Sequence, residues 1–219
     1  MSGELAPRII DVLGALLLFS MLLILASGQL FRAIYAVAVQ SVFLGIAGAV
    51  LAAATGIMDL WIIAGVTIVV KAILLPWLLM WVVRRIQITR EIEPVVPTVA
   101  TLAMAAVIVV LAFHLSASLG PVRRAITGNA LPVGIALILL GVLVMATRRK
   151  ALMQMVGLFA SENGIFFTAM AVSEGMPLII EIGVILDVVL GALVMGILVL
   201  RVRSSVEGTD IADLENLRG

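Results

Sequence analysis

The sequence predicts an all-α integral membrane protein, a polytopic bundle of about seven transmembrane helices. Of its 219 residues, 63% are hydrophobic and only 12% are charged, whereas a soluble domain is about half apolar and about a quarter charged. The apolar residues are collected in long runs, and a helix needs about 20 of them to cross the hydrocarbon core of a bilayer. Only helices and closed barrels satisfy the backbone in lipid, and these runs lack the alternation of barrel strands.

Seven apolar runs are separated by charged residues and by Gly, Pro or Asn. The predicted spans cover residues 9–26, 31–54, 60–83, 96–118, 130–147, 151–172 and 177–200. The first run has an alternative interpretation as a cleaved signal peptide, because small residues follow it at 26–28. Its leader carries Glu4 and Asp11 beside a single Arg8 instead of a basic cluster, which favours a retained span.

The basic residues predict the orientation of the bundle. With seven spans, alternate connections lie on opposite sides, and ten basic residues fall on one side against three on the other. The three are Arg8, Arg123 and Arg124, and the ten are Arg32, Arg84, Arg85, Arg90, Arg148, Arg149, Lys150, Arg201, Arg203 and Arg218. The positive-inside rule therefore places the amino terminus outside and the carboxyl terminus in the cytoplasm.

The composition excludes several classes of function. A chain this apolar is neither a soluble enzyme nor a nucleic-acid binder. The absence of cysteine excludes disulfides, thiolate zinc sites and iron–sulfur clusters, and a single histidine excludes a multi-histidine metal site. We therefore expect no cofactor or metal bound to this chain and no nucleic acid among its partners.

Three charged residues lie where a membrane span should be apolar. Lys71 has 11 uncharged residues before it and 12 after, Glu162 has 11 on each side, and Asp187 has five before it and 13 after. A charge at the bilayer centre costs about 2.5–3.5 kcal/mol on insertion scales, and such residues usually mark an ion or proton pathway. The alternative is a buried bridge between Lys71 and one carboxylate that only fixes packing. Which carboxylate pairs with Lys71 stays open.

Small residues indicate that Asp187 faces a neighbouring helix. Gly183, Asp187 and Gly191 recur every four residues and share one helix face, and glycines allow close helix packing in membranes. Glu181 lies roughly two turns from Asp187 towards the outer surface, so it is a candidate entry or exit of a proton path.

Other polar residues lie within the predicted spans. Asn163, next to Glu162, can hydrogen-bond a carboxylate or a water molecule. Gln40 is suited to hydrogen bonding between helices. His114, near the outer end of the fourth span, is a candidate proton relay, with an interfacial histidine as the alternative.

Pro76 predicts an irregularity in the third span. It lacks the N–H that would bond the carbonyl of Ala72, so we expect a kink near Lys71.

Several stretches together resemble the hydrogenase-4 component E family. They are VKAILLP at 70–76, RRK at 148–150, GLFASENG at 157–164, EIGVILD at 181–187 and the tail DIADLENLRG at 210–219. The resemblance covers nearly the whole chain. Its most specific parts are the stretches that contain Glu162 and Asp187.

This resemblance implies a membrane-arm subunit of a complex-I-like nickel–iron hydrogenase or formate hydrogenlyase, in a bacterial or archaeal cytoplasmic membrane. The last three helices are similar to the K-type subunit of complex I and to the C subunit of multisubunit Na⁺/H⁺ antiporters. In the K-type subunit two adjacent helices each carry a buried carboxylate of the proton path. Glu162 matches the first, and Asp187 stands at the second, where glutamate is usual. The implied partners are antiporter-like and other membrane subunits, a peripheral arm with nickel–iron and iron–sulfur subunits, and membrane lipid.

The resemblance also suggests how the chain is divided. An N-terminal three-helix membrane unit would cover 1–95, linking helices 96–147, K-type-like helices 148–203 and a cytoplasmic tail 204–219. The chain has no redox group of its own, so we expect a non-catalytic subunit of an oxidoreductase complex. Two alternatives stay open: a structural scaffold in the same complex, or a subunit of a cation/proton antiporter.

Overall fold

The fold is all-helical, as predicted. A computed structural model of the chain describes residues 5–86, 96–118 and 129–172, together with Gly183, Gly191 and Gly196, and these contain no strand. The elements are α1 (Leu5–Ala26), α2 (Leu30–Thr55), α3 (Met58–Val66), a π-helical segment (Thr67–Leu74), α4 (Leu75–Ile86), α5 (Thr98–Ser118), α6 (Ala130–Thr147) and α7 (Ala151–Val172).

Five helices of the described residues are long and apolar enough to cross a membrane. They are Leu5–Ala26, Leu30–Thr55, Met58–Arg84, Thr98–Ser118 and Ala130–Thr147. The sixth predicted span forms a helix of 22 residues, α7. The seventh, 177–200, lies outside the described residues apart from its three glycines, which are helical. The structure therefore supports a multi-pass membrane protein, while the number seven and the orientation stay predictions.

Two hydrogen bonds show that α1 and α6 run in the same direction. At one end, the backbone N–H of Asn129 donates to Asp11 Oδ1 over 2.8 Å. At the other, Arg148 Nη2 donates to the carbonyl of Leu25 over 2.7 Å. The beginnings of both helices thus share one end of the bundle, and their last residues share the other. This agrees with the sequence prediction, in which the first and the fifth span cross the membrane in the same direction.

The core is built from helices that the sequence places far apart. α1 contributes side chains with no exposed surface, among them Leu17, Met21 and Ile24, and α6 contributes Leu137 and Leu140. α1 packs against α2 and α6, α2 packs against α7 and the π-helical segment, and α5 packs against α6. The mid-length parts of α2, α7 and the π-helical segment therefore meet, which is where the predicted polar residues lie.

Glycines bring the backbones of α6 and α7 into contact. A Cβ atom on Gly141 would lie 2.6 Å from the carbonyl oxygen of Gly157, and one on Gly164 would lie 2.7 Å from the nitrogen of Ile138. Ser161 Oγ donates to the Ile138 carbonyl over 2.7 Å, so a polar bond accompanies the close approach. Such contacts stabilise helix pairs in membranes, where apolar burial provides no driving force. They fix the rotation of α7 and so the direction of its polar side chains.

We expect Gly141→Ala to destabilise the bundle, because the new methyl group meets backbone atoms that cannot move aside. Overpacking of this kind costs about 1–3 kcal/mol. Gly65→Ala is the matched control, since nothing lies within 4 Å of a Cβ at Gly65 and alanine favours a helix. Thermal unfolding in detergent should show a lower midpoint for Gly141→Ala and an equal or higher one for Gly65→Ala. Equal midpoints for the two variants would contradict the close contact.

Candidate functional site

A buried ion pair lies at the centre of the bundle. Lys71 Nζ is 3.1 Å from Glu162 Oε1, and the two side chains are 4% and 3% exposed. Lys71 is the middle residue of the span Met58–Arg84, and Glu162 lies near the middle of α7. The pair therefore stands at mid-depth of the membrane part. Of the two carboxylates that the sequence offers as partners of Lys71, Glu162 forms the ion pair that the structure describes, and Asp187 lies outside the described residues.

The π-helical segment presents Lys71 to this pair. The N–H of Leu75 bonds the carbonyl of Val70, five residues back instead of four. Of the eight residues in the segment, Thr67 and Lys71 are the buried ones. A simple proline kink at Ala72 was expected, but the irregularity is a wider helix that begins at Thr67, before the proline. Such π-helical turns often occur at functional sites.

The aromatic ring of Phe166 lies against the ammonium group of Lys71. Its ring centroid lies 4.4 Å from Lys71 Nζ, within the range at which a cation is attracted to an aromatic face. Phe166 follows Glu162 by one helical turn, so both side chains project from the same face of α7. A Cβ on the buried Gly183 would collide with the Phe166 ring. The expected close packing at Gly183 is confirmed, whereas no described atom lies within 4 Å of a Cβ on Gly191.

Asn163 ties three helices together beside the ion pair. Its Nδ2 donates to Gln40 Oε1 over 3.2 Å and to Ser41 Oγ over 3.1 Å, both on α2. Gln40 Nε2 in turn donates to the carbonyl of Leu17 on α1 over 3.2 Å. The predicted role of Gln40 between helices is confirmed. Asn163 is 1% exposed, and its Oδ1 has no hydrogen-bond partner among the described residues.

A small cavity adjoins the ion pair. Its polar lining comes from Ser41, Lys71, Glu162 and Asn163, and its apolar lining includes Pro76. The volume open to the centre of a water molecule is about 10 Å³, which is close to the room that one buried water needs. A water molecule here would have several polar partners, among them the Asn163 Oδ1. The site can therefore hold a proton carrier next to a carboxylate.

Of the other predicted site residues, His114 is described by the structure, and it is not part of this cluster. His114 is exposed on α5, near its end, and α5 packs mainly against α6 and α1. Asp187 and Glu181 lie outside the described residues. Phe166 was missed by the sequence analysis, although its spacing of four residues from Glu162 is a usable signal.

We expect the losses of unfolding free energy caused by removing Lys71 and by removing Glu162 to be strongly coupled. Removing one partner of a buried pair costs about 3–5 kcal/mol, because the other charge is left uncompensated. Lys71→Met and Glu162→Gln should each lower the unfolding midpoint, and the double variant should recover most of the loss. Thermal unfolding of the four proteins gives the coupling as a double-mutant cycle. Additive effects would contradict a direct pair.

The chain is similar to a known mycobacterial protein. The chain is 35% identical over 149 residues to a Mycobacterium tuberculosis protein called "Uncharacterized protein Rv0085", and the match covers 68% of each chain. No family model matches the chain, and no solved structure matches it.

Proposed function

The chain belongs to the same family as the M. tuberculosis protein Rv0085, and we propose that it is a membrane-arm subunit of a complex-I-like hydrogenase or formate hydrogenlyase-type complex. In this proposal the Lys71–Glu162 pair relays protons across the middle of a bacterial or archaeal cytoplasmic membrane. The redox chemistry belongs to nickel–iron and iron–sulfur subunits of a peripheral arm. Antiporter-like subunits adjoin this chain in the membrane.

The observation that carries the proposal is the 3.1 Å ion pair at mid-depth. Two charges removed from water cost several kcal/mol each, and replacing such a pair by apolar residues is often stabilising. A pair that served packing alone is therefore an expensive solution in lipid, where polar residues usually serve transport. The pair can also exchange a proton: an Nζ–H bond breaks, an Oε1–H bond forms, and both groups become neutral.

The surroundings supply the next acceptor for that proton. The cavity beside Glu162 is close in volume to what one water molecule needs, and four polar residues contribute to its otherwise apolar lining. From a protonated Glu162, the proton passes to this water and the water's own proton continues along the path. Asn163 and Ser41 hold the water but do not ionise. Asp187 on the last span is the proposed second carboxylate, with Glu181 nearer the outer surface. His114, exposed on α5, is a candidate relay away from this pair.

A scaffold function is the second candidate, and one observation favours it. The side chain of Asn163 bonds α2, and Gln40 carries the connection on to α1, so the polar cluster joins three helices. If the charges serve only to hold helices together, the double variant Lys71→Met/Glu162→Gln keeps the activity of the complex. If they relay protons, that variant assembles but does not pump.

Glu162→Gln should abolish proton pumping by the intact complex, because the amide keeps the shape of the side chain but cannot take up a proton. Hydrogen oxidation with an artificial electron acceptor should continue, since the redox groups lie in other subunits. Pumping is measured by a pH-sensitive dye in sealed vesicles. The control variant is Asp59→Asn, which removes an exposed carboxylate near one end of the bundle and should leave pumping unchanged. Unchanged pumping by Glu162→Gln would contradict a proton relay through Glu162.

Purification of the tagged full chain in mild detergent should recover iron–sulfur subunits and hydrogen-dependent activity. Mass spectrometry identifies the partners, and a dye-reduction assay measures the activity. Recovery of antiporter subunits with sodium-dependent proton exchange, and without any iron–sulfur protein, would contradict the hydrogenase assignment and support the antiporter alternative.

A further inference from the structure

A second buried charge lies far from the ion pair, at the end of the bundle where α1 and α6 finish. Arg148 directly follows α6 and is only 2% exposed. Its Nη2 donates to the Leu25 carbonyl over 2.7 Å. Its Nε and Nη1 are buried and have no hydrogen-bond partner among the described residues. The guanidinium group therefore has unused donors.

This arrangement is costly unless something else binds the guanidinium group. A buried donor without an acceptor costs about 1–3 kcal/mol, and more when the group is charged. Burial lowers the pKa of Arg148, since the low-polarity surroundings disfavour its charged form, yet arginine stays protonated in proteins. A neutral carbonyl, the sole partner of the guanidinium group among the described residues, does not balance the positive charge.

The same end of the bundle offers no described counter-charge. The described charged residues there are all basic: Arg32, Arg84, Arg148, Arg149 and Lys150. The described carboxylates lie elsewhere, with Asp11 and Asp59 near the starts of α1 and α3 and Glu162 at mid-depth. The missing partner is therefore an anion that the described residues do not provide.

We propose that Arg148 forms a phosphate-binding site between the ends of α1 and α6, and that the phosphate belongs to an anionic phospholipid. A guanidinium fork matches the oxygen geometry of phosphate. Arg148 directly follows a membrane-spanning helix, which is the depth of lipid headgroups, and basic pockets at helix ends bind anionic lipids. Exposed Gly28, with nothing within 4 Å of a Cβ, leaves open space beside the short connection that follows α1.

Native mass spectrometry of the purified full chain tests this site. The protein is titrated with phosphatidylglycerol, and separately with phosphatidylcholine and with inorganic phosphate. Arg148→Gln should retain about ten-fold less phosphatidylglycerol than the wild type, as expected for the loss of charge-assisted hydrogen bonds. Arg149→Gln is the matched control, because Arg149 is an adjacent but exposed cation, and it should retain nearly wild-type amounts.

The remaining arms separate the possible outcomes. Arg148→Lys keeps the charge without the planar fork, and it should also bind more weakly, so the test survives if Arg148→Gln does not fold. Equal retention by wild type and Arg148→Lys, or equal losses in Arg148→Gln and Arg149→Gln, would overturn the proposal. So would displacement of the lipid by millimolar inorganic phosphate, which would identify free phosphate as the ligand. Failure of the wild type to retain any phosphatidylglycerol, pointing to a partner protein's carboxylate, would overturn it too.

Discussion

The burial of Lys71 and Glu162 together is the constraint on which the rest of the structure depends. Each charge alone is costly in the membrane interior. The π-helical segment and α7 must therefore pack with Lys71 and Glu162 facing each other at the same depth. The glycine contacts between α6 and α7 set that rotation. The hydrogen bonds from Asn163 to α2 keep α7 at this depth relative to α2, and the Phe166 ring lies against the ammonium group. These features are separate in sequence but serve one geometric requirement.

The two buried cationic sites differ in how their charge is balanced. At mid-depth, Lys71 has a carboxylate at 3.1 Å and an aromatic ring at 4.4 Å, so its charge is balanced by a described residue. At the membrane end, Arg148 has one carbonyl and no described carboxylate. The Lys71–Glu162 site pairs a cation with a carboxylate, whereas the Arg148 site lacks an anion among the described residues. In our proposals, the first site transfers protons and the second binds a lipid headgroup.

The sequence predicted the helices and the charged centre but not the interactions around them. Charges and Gly or Pro breaks locate spans well, and the sixth predicted span coincides with α7. Lys71 and Glu162 were identifiable because a charge in an apolar run stands out. Their pairing, the stacking of Phe166 and the π-helical register depend on how helices rotate about their axes. When a helix such as α5 is apolar on every side, its hydropathy gives little information about which side faces a neighbouring helix.

The proposed proton relay depends on a direct pairing of Lys71 with Glu162 in the membrane interior. The most direct measurement is an infrared difference spectrum of the purified chain in lipid, comparing wild type with Lys71→Met at neutral pH. If the two groups are in contact, removing the cation changes the surroundings of the Glu162 side chain, so its carboxyl or carboxylate bands should differ between wild type and Lys71→Met. That difference should vanish when both proteins also carry Glu162→Gln. Identical spectra for wild type and Lys71→Met would contradict the pair and the proton relay that is built on it.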